Sequence, residues 1–154
     1  MTSGRNAEAG FTLVEMVCVI AIIAMLAAIL LPHISRATSR PRLEGYAVET
    51  ASLLKADRTA AMRRRVPIAT QVDASERYLR SGSTGRILRV PDDVSFSATL
   101  PIRCNDRPAF STINFFATGM SCGGTIVLSR LGAAYEIRVN WLTGGIEIVP
   151  RSTI

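Results

Sequence analysis

The sequence predicts an α+β protein whose helices come first and whose strands follow. Three observations support this class. An apolar run extends from Phe11 to Leu31, apolar residues recur at helical spacing from Leu43 to Val66, and apolar and polar residues alternate after Pro67. The clearest alternation is YEIRVNW at residues 135–141, which is the pattern of a strand with one buried face. A chain of 154 residues is long enough for one such domain.

The run from Phe11 to Leu31 predicts a transmembrane helix, since a helix of this length spans the ~30 Å core of a bilayer. A secretory signal peptide would have a shorter apolar core and a cleavage site of small residues, which Leu30–His33 is not. Glu15 is the only charged residue in the run. A carboxylate in hydrocarbon costs about 2.5–3.5 kcal/mol on insertion scales, so Glu15 is expected to have a partner.

The string GFTLVE at residues 10–15 resembles the cleavage site of type IV prepilins and type II secretion pseudopilins. This resemblance implies that residues 1–10 form a leader peptide and that a prepilin peptidase cuts between Gly10 and Phe11. It also implies that Phe11 is then N-methylated.

The same resemblance gives Glu15 a role in filament assembly. Cleavage creates a free amine at Phe11, and Glu15 of one subunit can neutralise that amine on its neighbour. Burial makes the pairing important because an unpaired buried charge is costly. The alternative is that Glu15 only complements the dipole of its own helix.

The resemblance further implies a single-pass protein of the inner membrane, with its transmembrane helix at 11–31 and its C-terminal domain in the periplasm. The positive-inside rule indicates the opposite orientation, because three arginines follow the apolar run at positions 36, 40 and 42. The cleavage string is the more specific of the two signals.

Residues 32–66 are expected to continue the helix outside the membrane and to pack on a sheet. Pro32 is expected to bend this helix, and Pro41 to bend or interrupt it a second time. Three consecutive arginines, residues 63–65, close it. They would complement the helix dipole, or contact lipid head groups, DNA or an acidic neighbouring subunit.

Residues 67–154 are expected to form a β-rich head. The strand candidates are Ile87–Val90, Val94–Phe96, Ile113–Phe116, Thr125–Leu128 and Tyr135–Trp141. Residues 124–149 are interpreted as a three-stranded meander, and residues 81–85 and 91–93 as loops.

The chain has three cysteines. Cys18 lies in the apolar run and is interpreted as a packed free thiol. Cys104 and Cys122 are a candidate disulfide, which would stabilise the head by roughly 3 kcal/mol in the chain-entropy model. Spacing alone does not place two Cβ atoms together, so the sequence leaves this bond open.

No catalytic, cofactor or metal site is expected. The sole histidine, His33, abuts the apolar run, no cysteine and histidine cluster has zinc spacing, and no glycine-rich phosphate loop is present. Asp92 and Asp93 follow Pro91, and turn capping is favoured there over a calcium site. The chain is therefore not expected to be an enzyme.

The stretch Ile113–Val149 resembles the C-terminal half of the H-type minor pseudopilin, GspH, whose family includes FimT-like type IV minor pilins. The matching residues are Phe115, Phe116, Gly119, Gly123, Gly124, Ile126–Leu128, Tyr135–Val139, Thr143 and Gly144. The resemblance implies a type IV pilin-like fold, with a long N-terminal helix packed on an antiparallel sheet.

This resemblance implies a minor pseudopilin of the type II secretion system, assembled into a periplasmic pseudopilus that helps to export folded proteins across the outer membrane. The implied partners are other pseudopilins or pilins in a hetero-oligomeric filament, the prepilin peptidase and the inner-membrane secretion platform.

The alternative function is that of a FimT-like minor pilin in pilus assembly or DNA uptake. The net charge of +6 and the string GRILR at residues 85–89 favour it. DNA-binding relatives carry a Gly-Arg-x-Arg string near the C-terminal end, where this chain has GIEIV at residues 145–149 and no arginine before Arg151. Nucleic acid is therefore not expected as a partner.

Overall fold

The structure, a computed structural model, describes residues 12–30 and 38–152. The chain divides into two compact units, residues 1–36 and 37–154. In the first unit, helix α1 spans Leu13–Leu30. It consists of apolar residues apart from Glu15 in its first turn.

In the second unit, helix α2 spans Arg40–Arg64. Ser39 precedes it in an extended conformation, and Pro41 occupies the first turn, where the missing N–H of proline costs no hydrogen bond. The predicted continuation over residues 32–66 is therefore corrected in its bounds. Thr38 and Ser39 are not helical and α2 begins at Arg40, which agrees with an interruption at Pro41 and not with a bend. Pro32 lies outside the described residues.

Ten strands follow α2, and all of their pairings are antiparallel. They are β1 Ile68–Asp73, β2 Tyr78–Arg80, β3 Ile87–Arg89, β4 Ser95–Thr99, β5 Arg103–Cys104, β6 Arg107–Pro108, β7 Thr112–Phe115, β8 Gly124–Arg130, β9 Ala133–Val139 and β10 Ile146–Ser152. Two four-stranded sheets have the orders β3-β2-β1-β7 and β10-β9-β8-β4, and β5 and β6 form a separate hairpin.

The core lies between the apolar face of α2 and the inner faces of both sheets. Leu43, Ala47 and Leu54 on α2 are almost completely buried, as are Phe115 on β7 and Ile137 on β9. Helical spacing on one side and a period of two on the other bring these side chains to the same interior. The α+β class predicted from the two periods is confirmed.

The strands predicted from alternation correspond to β3, β4, β7, β8 and β9, and the predicted meander is β8-β9-β10. Residues 81–85 and 91–93 lie between strands, as predicted. Strands β1 and β2 were not anticipated. Strand β1 places a polar residue, Thr70, in the interior, which weakens its apolar signal.

One detail of the alternation in β9 was wrong, because Glu136 is buried and not exposed to solvent. Its carboxylate forms ion pairs with Arg138, at 2.7 Å, and with Arg151 of the adjacent strand β10. The hydrogen bond from Arg138 and the charges of both arginines lower the pKa of Glu136. Long arginine side chains therefore cover a carboxylate on the outer face of the sheet.

Candidate functional site

Helix α1 carries the residue that the sequence assigns to assembly. Thr12 caps the helix, since its side-chain hydroxyl accepts a hydrogen bond from the Glu15 N–H at 3.3 Å. Within the described part of the chain, the Glu15 carboxylate has no ion pair or hydrogen bond. Glu15 therefore lies exposed at the start of α1, and no described residue neutralises its charge.

The rest of α1 is apolar on every side. Its large side chains between Leu13 and Leu26 are all 45–81% exposed in this single chain, and Cys18 is an exposed free thiol. Cys18 was predicted to be packed, but no part of the described chain covers it. A helix that is apolar all round is stable when apolar groups from elsewhere cover it. Across residues 12–30 and 38–152, no helix has the length and apolar character needed to cross a membrane.

Gly10 and Phe11, the predicted cleavage and methylation site, lie outside the described residues, and so does His33. These assignments and the transmembrane helix over 11–31 stay predictions. In the part of the chain that the structure describes, no group of three or more histidine, cysteine, aspartate or glutamate side chains is placed to hold a metal ion.

The head is organised around Asp57, a completely buried carboxylate on α2 that the sequence analysis missed. It accepts hydrogen bonds from the hydroxyls of Thr70 and Ser81, each at 2.6 Å, and from the Ser83 hydroxyl. The backbone N–H groups of Gly82 and Ser83 donate to it at 3.0 and 3.1 Å. Burial would raise the pKa of Asp57, but these hydrogen bonds outweigh burial and lower it. The carboxylate thus ties α2 to β1 and to the loop at 81–85.

The neighbouring residue Arg58 joins two turns at the far side of α2. Its guanidinium donates to the carbonyl oxygens of Gly119, at 3.0 Å, and Thr143, at 2.9 Å. Gly144 lies so close to Gly119 that a Cβ on it would overlap the Gly119 carbonyl. Gly119 itself has a positive φ of 86°, which favours glycine. Gly119, Thr143 and Gly144, which belong to the stretch that resembles GspH, therefore all lie at one contact between α2 and the two turns.

Asp57 had a signal in the sequence, whereas Arg58 did not. Asp57 falls in the apolar stripe of α2, between Leu54 and Ala61, and a charge in such a stripe indicates a buried, satisfied carboxylate. Arg58 lies outside this stripe, and only the structure brings it to the two turns.

Of the acidic pair at 92–93, Asp93 holds the residue that lies just before the N-cap of α2. Asp93 accepts hydrogen bonds from the backbone N–H and hydroxyl of Thr38, at 2.7 and 2.9 Å, and pairs with Arg130 at 3.1 Å. These contacts lower the pKa of Asp93, with the Thr38 N–H as the main cause. Asp92 pairs with Arg77 at 3.1 Å. Both carboxylates are thus engaged by groups from other segments of the head, and these contacts do not cap their own turn.

The structure places Cys104 beside Cys122, the pairing that the sequence left open. Their Cα atoms are 5.7 Å apart, within the range of disulfides. Cys104 ends β5, and Cys122 is held against Asn114 of β7 by a backbone hydrogen bond of 3.0 Å. The pair would fasten the β5-β6 hairpin to the sheet.

Both arginines of the string at 85–89 contact other side chains of the head. Arg86 pairs with Glu49 of α2, and the guanidinium of Arg89 lies over the Tyr78 ring, 6.0 Å from its centre. At the C-terminal end, Glu147 lies opposite Arg138 in the register of β9 and β10. Neither region presents a free run of arginines.

Comparisons with known proteins match these features. The family described as the prokaryotic N-terminal methylation motif matches residues 5–31. The chain is 28% identical over 150 residues to type II secretion system protein H of Xanthomonas campestris pv. campestris, covering 97% of this chain and 88% of that protein.

Two solved structures share the fold. The minor pseudopilin EpsH of Vibrio cholerae matches with a TM-score of 0.52 and 11% identity, over 67% of this chain and 92% of EpsH. The type IV minor pilin FimU of Pseudomonas aeruginosa matches with a TM-score of 0.56 and 18% identity, over 75% of this chain and 96% of FimU.

The N-terminal helix and the antiparallel sheets, together with the methylation motif, define a protein with the type IV pilin-like fold. Within this class, the chain is similar in sequence to type II secretion system protein H and in fold to the minor pseudopilin EpsH. The predicted fold is thereby confirmed.

Proposed function

We propose that this chain is a minor pseudopilin subunit of a type II secretion system, built into a periplasmic pseudopilus that helps to export folded proteins. The observation that carries the proposal is α1, an apolar helix with Glu15 as its only charge and with a methylation motif over residues 5–31. A helix of this kind supplies the buried part of a filament, and the head supplies the outer part. The role is structural and non-catalytic.

The direct test is a strain that lacks the gene, with and without its restoration. If the proposal is right, folded exoproteins disappear from the culture medium and collect in the periplasm, and restoration of the gene reverses both changes. Unchanged secretion would contradict the secretion function while leaving the pilin-like class intact.

The processing steps form a second part of the proposal. A prepilin peptidase cuts between Gly10 and Phe11, Phe11 is N-methylated, and the helix over 11–31 holds the head on the periplasmic side of the inner membrane. Mass spectrometry of the protein from its native membrane should show a chain that begins with methylated Phe11. A chain that retains residues 1–10 would contradict this part alone.

In the assembled filament, Glu15 neutralises the N-terminal amine of Phe11 on a neighbouring subunit. The support is that Glu15 is exposed and has no partner within the described residues, while an unpaired carboxylate among apolar helices is costly. Glu15→Gln keeps the size and the helix but removes the charge. We expect it to remain in the membrane and to be lost from the filament fraction.

Met16→Leu, one position along α1, is the matched control and should assemble normally. If Glu15→Gln also assembles normally, Glu15 serves only its own helix, and the intermolecular pairing is wrong.

The second candidate function is that of a type IV minor pilin, which the match to FimU favours. If secretion is unchanged in the deletion strain, twitching and DNA uptake are the assays that test it. A DNA titration of the full chain at rising salt separates pilus assembly from DNA binding, because contacts with phosphates weaken steeply with salt.

A further inference from the structure

A concave groove of about 560 Å³ lies between the C-terminal half of α2 and the loop at 81–85. We call it the basic groove. Its lining residues are Lys55, Ala56, Thr59, Ala60, Arg63, Arg64, Ser83 and Thr84. Three of them are cationic and none is acidic, so the groove carries a concentrated positive charge.

Among the described residues, no carboxylate forms an ion pair with these three cations. Five ion pairs occur among the described residues, and they involve arginines 77, 86, 130, 138 and 151. Lys55 and Arg63 take part in none of them, and Arg64 only donates to the Ser83 carbonyl at 3.3 Å. The excess charge of the chain, +6 in total, is thus partly gathered in this groove.

The dipole of α2 does not account for all of this charge. The C-terminus of a helix is equivalent to about half a negative charge, whereas the groove holds three positive charges within the last ten residues of α2. Most of the charge of Lys55, Arg63 and Arg64 therefore remains available to a ligand.

The loop wall of the groove is held in place from behind. The buried Asp57 carboxylate binds the backbone N–H and the hydroxyl of Ser83, and Ser81 accepts hydrogen bonds from Thr84. Because five donors already satisfy Asp57, its oxygen atoms need no further hydrogen-bond partner from the groove. The wall is pre-formed, which lowers the entropy cost of binding.

The hydroxyl groups of the groove define the ligand further. Thr59 donates its hydroxyl proton to the Lys55 carbonyl, Ser83 to Asp57 and Thr84 to Ser81. Their oxygen atoms are left as acceptors. A suitable ligand therefore offers negative charge to the cations and N–H donors to the hydroxyl oxygens. An acidic peptide has both, whereas a phosphate backbone has only acceptors.

The length of the groove suits a short segment. Lys55 and Arg64 are about 13 Å apart along the helix axis, which four residues of extended peptide can span.

We propose that the basic groove binds an acidic, extended segment of another protein. The high positive charge of this chain disfavours a second copy of itself as that partner. The groove would be available to such a segment in a pseudopilus and in a type IV pilus alike.

The test is binding of a fluorescein-labelled eight-residue peptide with two glutamates three positions apart, measured with the full chain in neutral detergent. We expect saturable binding that weakens with salt, and no binding of the same peptide with glutamines. The double variant Lys55→Gln and Arg63→Gln should bind about tenfold more weakly, since each exposed ion pair contributes a few-fold.

The matched control removes two exposed arginines elsewhere, Arg80→Gln and Arg107→Gln, which lie on β2 and β6. It should change the affinity by less than about twofold. Equal losses in both variants would mean that net charge alone attracts the peptide, and the proposal would be wrong. It would also be wrong if single-stranded DNA of equal charge binds this groove more tightly than the peptide.

Discussion

Replacing Asp57 with alanine removes the acceptor of five hydrogen bonds in the interior of the head. The hydroxyls of Thr70 and Ser81 can turn toward other acceptors. The backbone N–H groups of Gly82 and Ser83 cannot, because the loop fixes their direction. Each buried donor left without a partner costs about 1–3 kcal/mol, and two such groups, partly reached by water, cost about 2–4 kcal/mol.

This loss is large beside the 5–15 kcal/mol by which a typical domain is stable. For a unit of this size, each kcal/mol corresponds to about 4 °C, so Asp57→Ala should lower the melting temperature by roughly 8–16 °C. The assay is thermal unfolding of the full chain in detergent, followed by circular dichroism.

The matched control is Asp73→Asn. Asp73 also accepts hydrogen bonds, from Ser75 and from the Glu76 N–H, but these bonds are exposed to solvent at the end of β1. The replacement of Asp73 should therefore leave the melting temperature close to that of the wild type. If Asp57→Ala melts within about 2 °C of the wild type, the assignment of Asp57 as the carboxylate that secures the loop is wrong.

The same residue gives a pH dependence. Hydrogen bonds hold the pKa of Asp57 below its ordinary value in the folded state, so its contribution is fully present above the unfolded pKa near 4. It is lost as the pH falls through the folded pKa. Asp57→Asn should therefore be less stable than the wild type at neutral pH, and the difference should shrink below about pH 4.

Three further predictions concern the turns and the hairpin. Arg58→Ala should speed hydrogen exchange in the turns at Gly119 and Gly144, whereas exchange in β1 should stay unchanged; equal effects in both places would contradict the contact. Gly144→Ala should destabilise the head, because its Cβ would overlap the Gly119 carbonyl, and normal melting would refute that geometry. Cys104→Ser should lower the melting temperature under oxidising conditions, by an amount equivalent to roughly 3 kcal/mol, and wild type should show one free thiol per chain without reductant; three free thiols would exclude the disulfide.

The apolar N-terminal helix could be predicted from the sequence because its signal is local. The long apolar run, the single carboxylate at position 15 and the glycine before Phe11 can all be recognised without knowledge of any tertiary contact. The helices and most of the strands were also predictable, since a period of 3.6 or 2 depends only on neighbouring residues.

The interior of the head could not be predicted in the same way. The roles of Asp57 and Arg58 depend on groups 13 to 85 positions away along the chain, and no local pattern identifies those partners. The pairing of Cys104 with Cys122 stayed open for the same reason, because spacing does not fix the distance between two Cβ atoms.

The sequence by itself thus determined the class of fold, the apolar N-terminal helix and the charge at Glu15. The tertiary structure alone decided that Pro41 lies in the first turn of a helix, that Glu136 is buried between two arginines, and that the unpaired cations of α2 face the loop at 81–85. The physical reason is that periodicity and hydropathy act between neighbours in the chain, whereas ion pairs, buried hydrogen bonds and grooves join residues that only folding brings together.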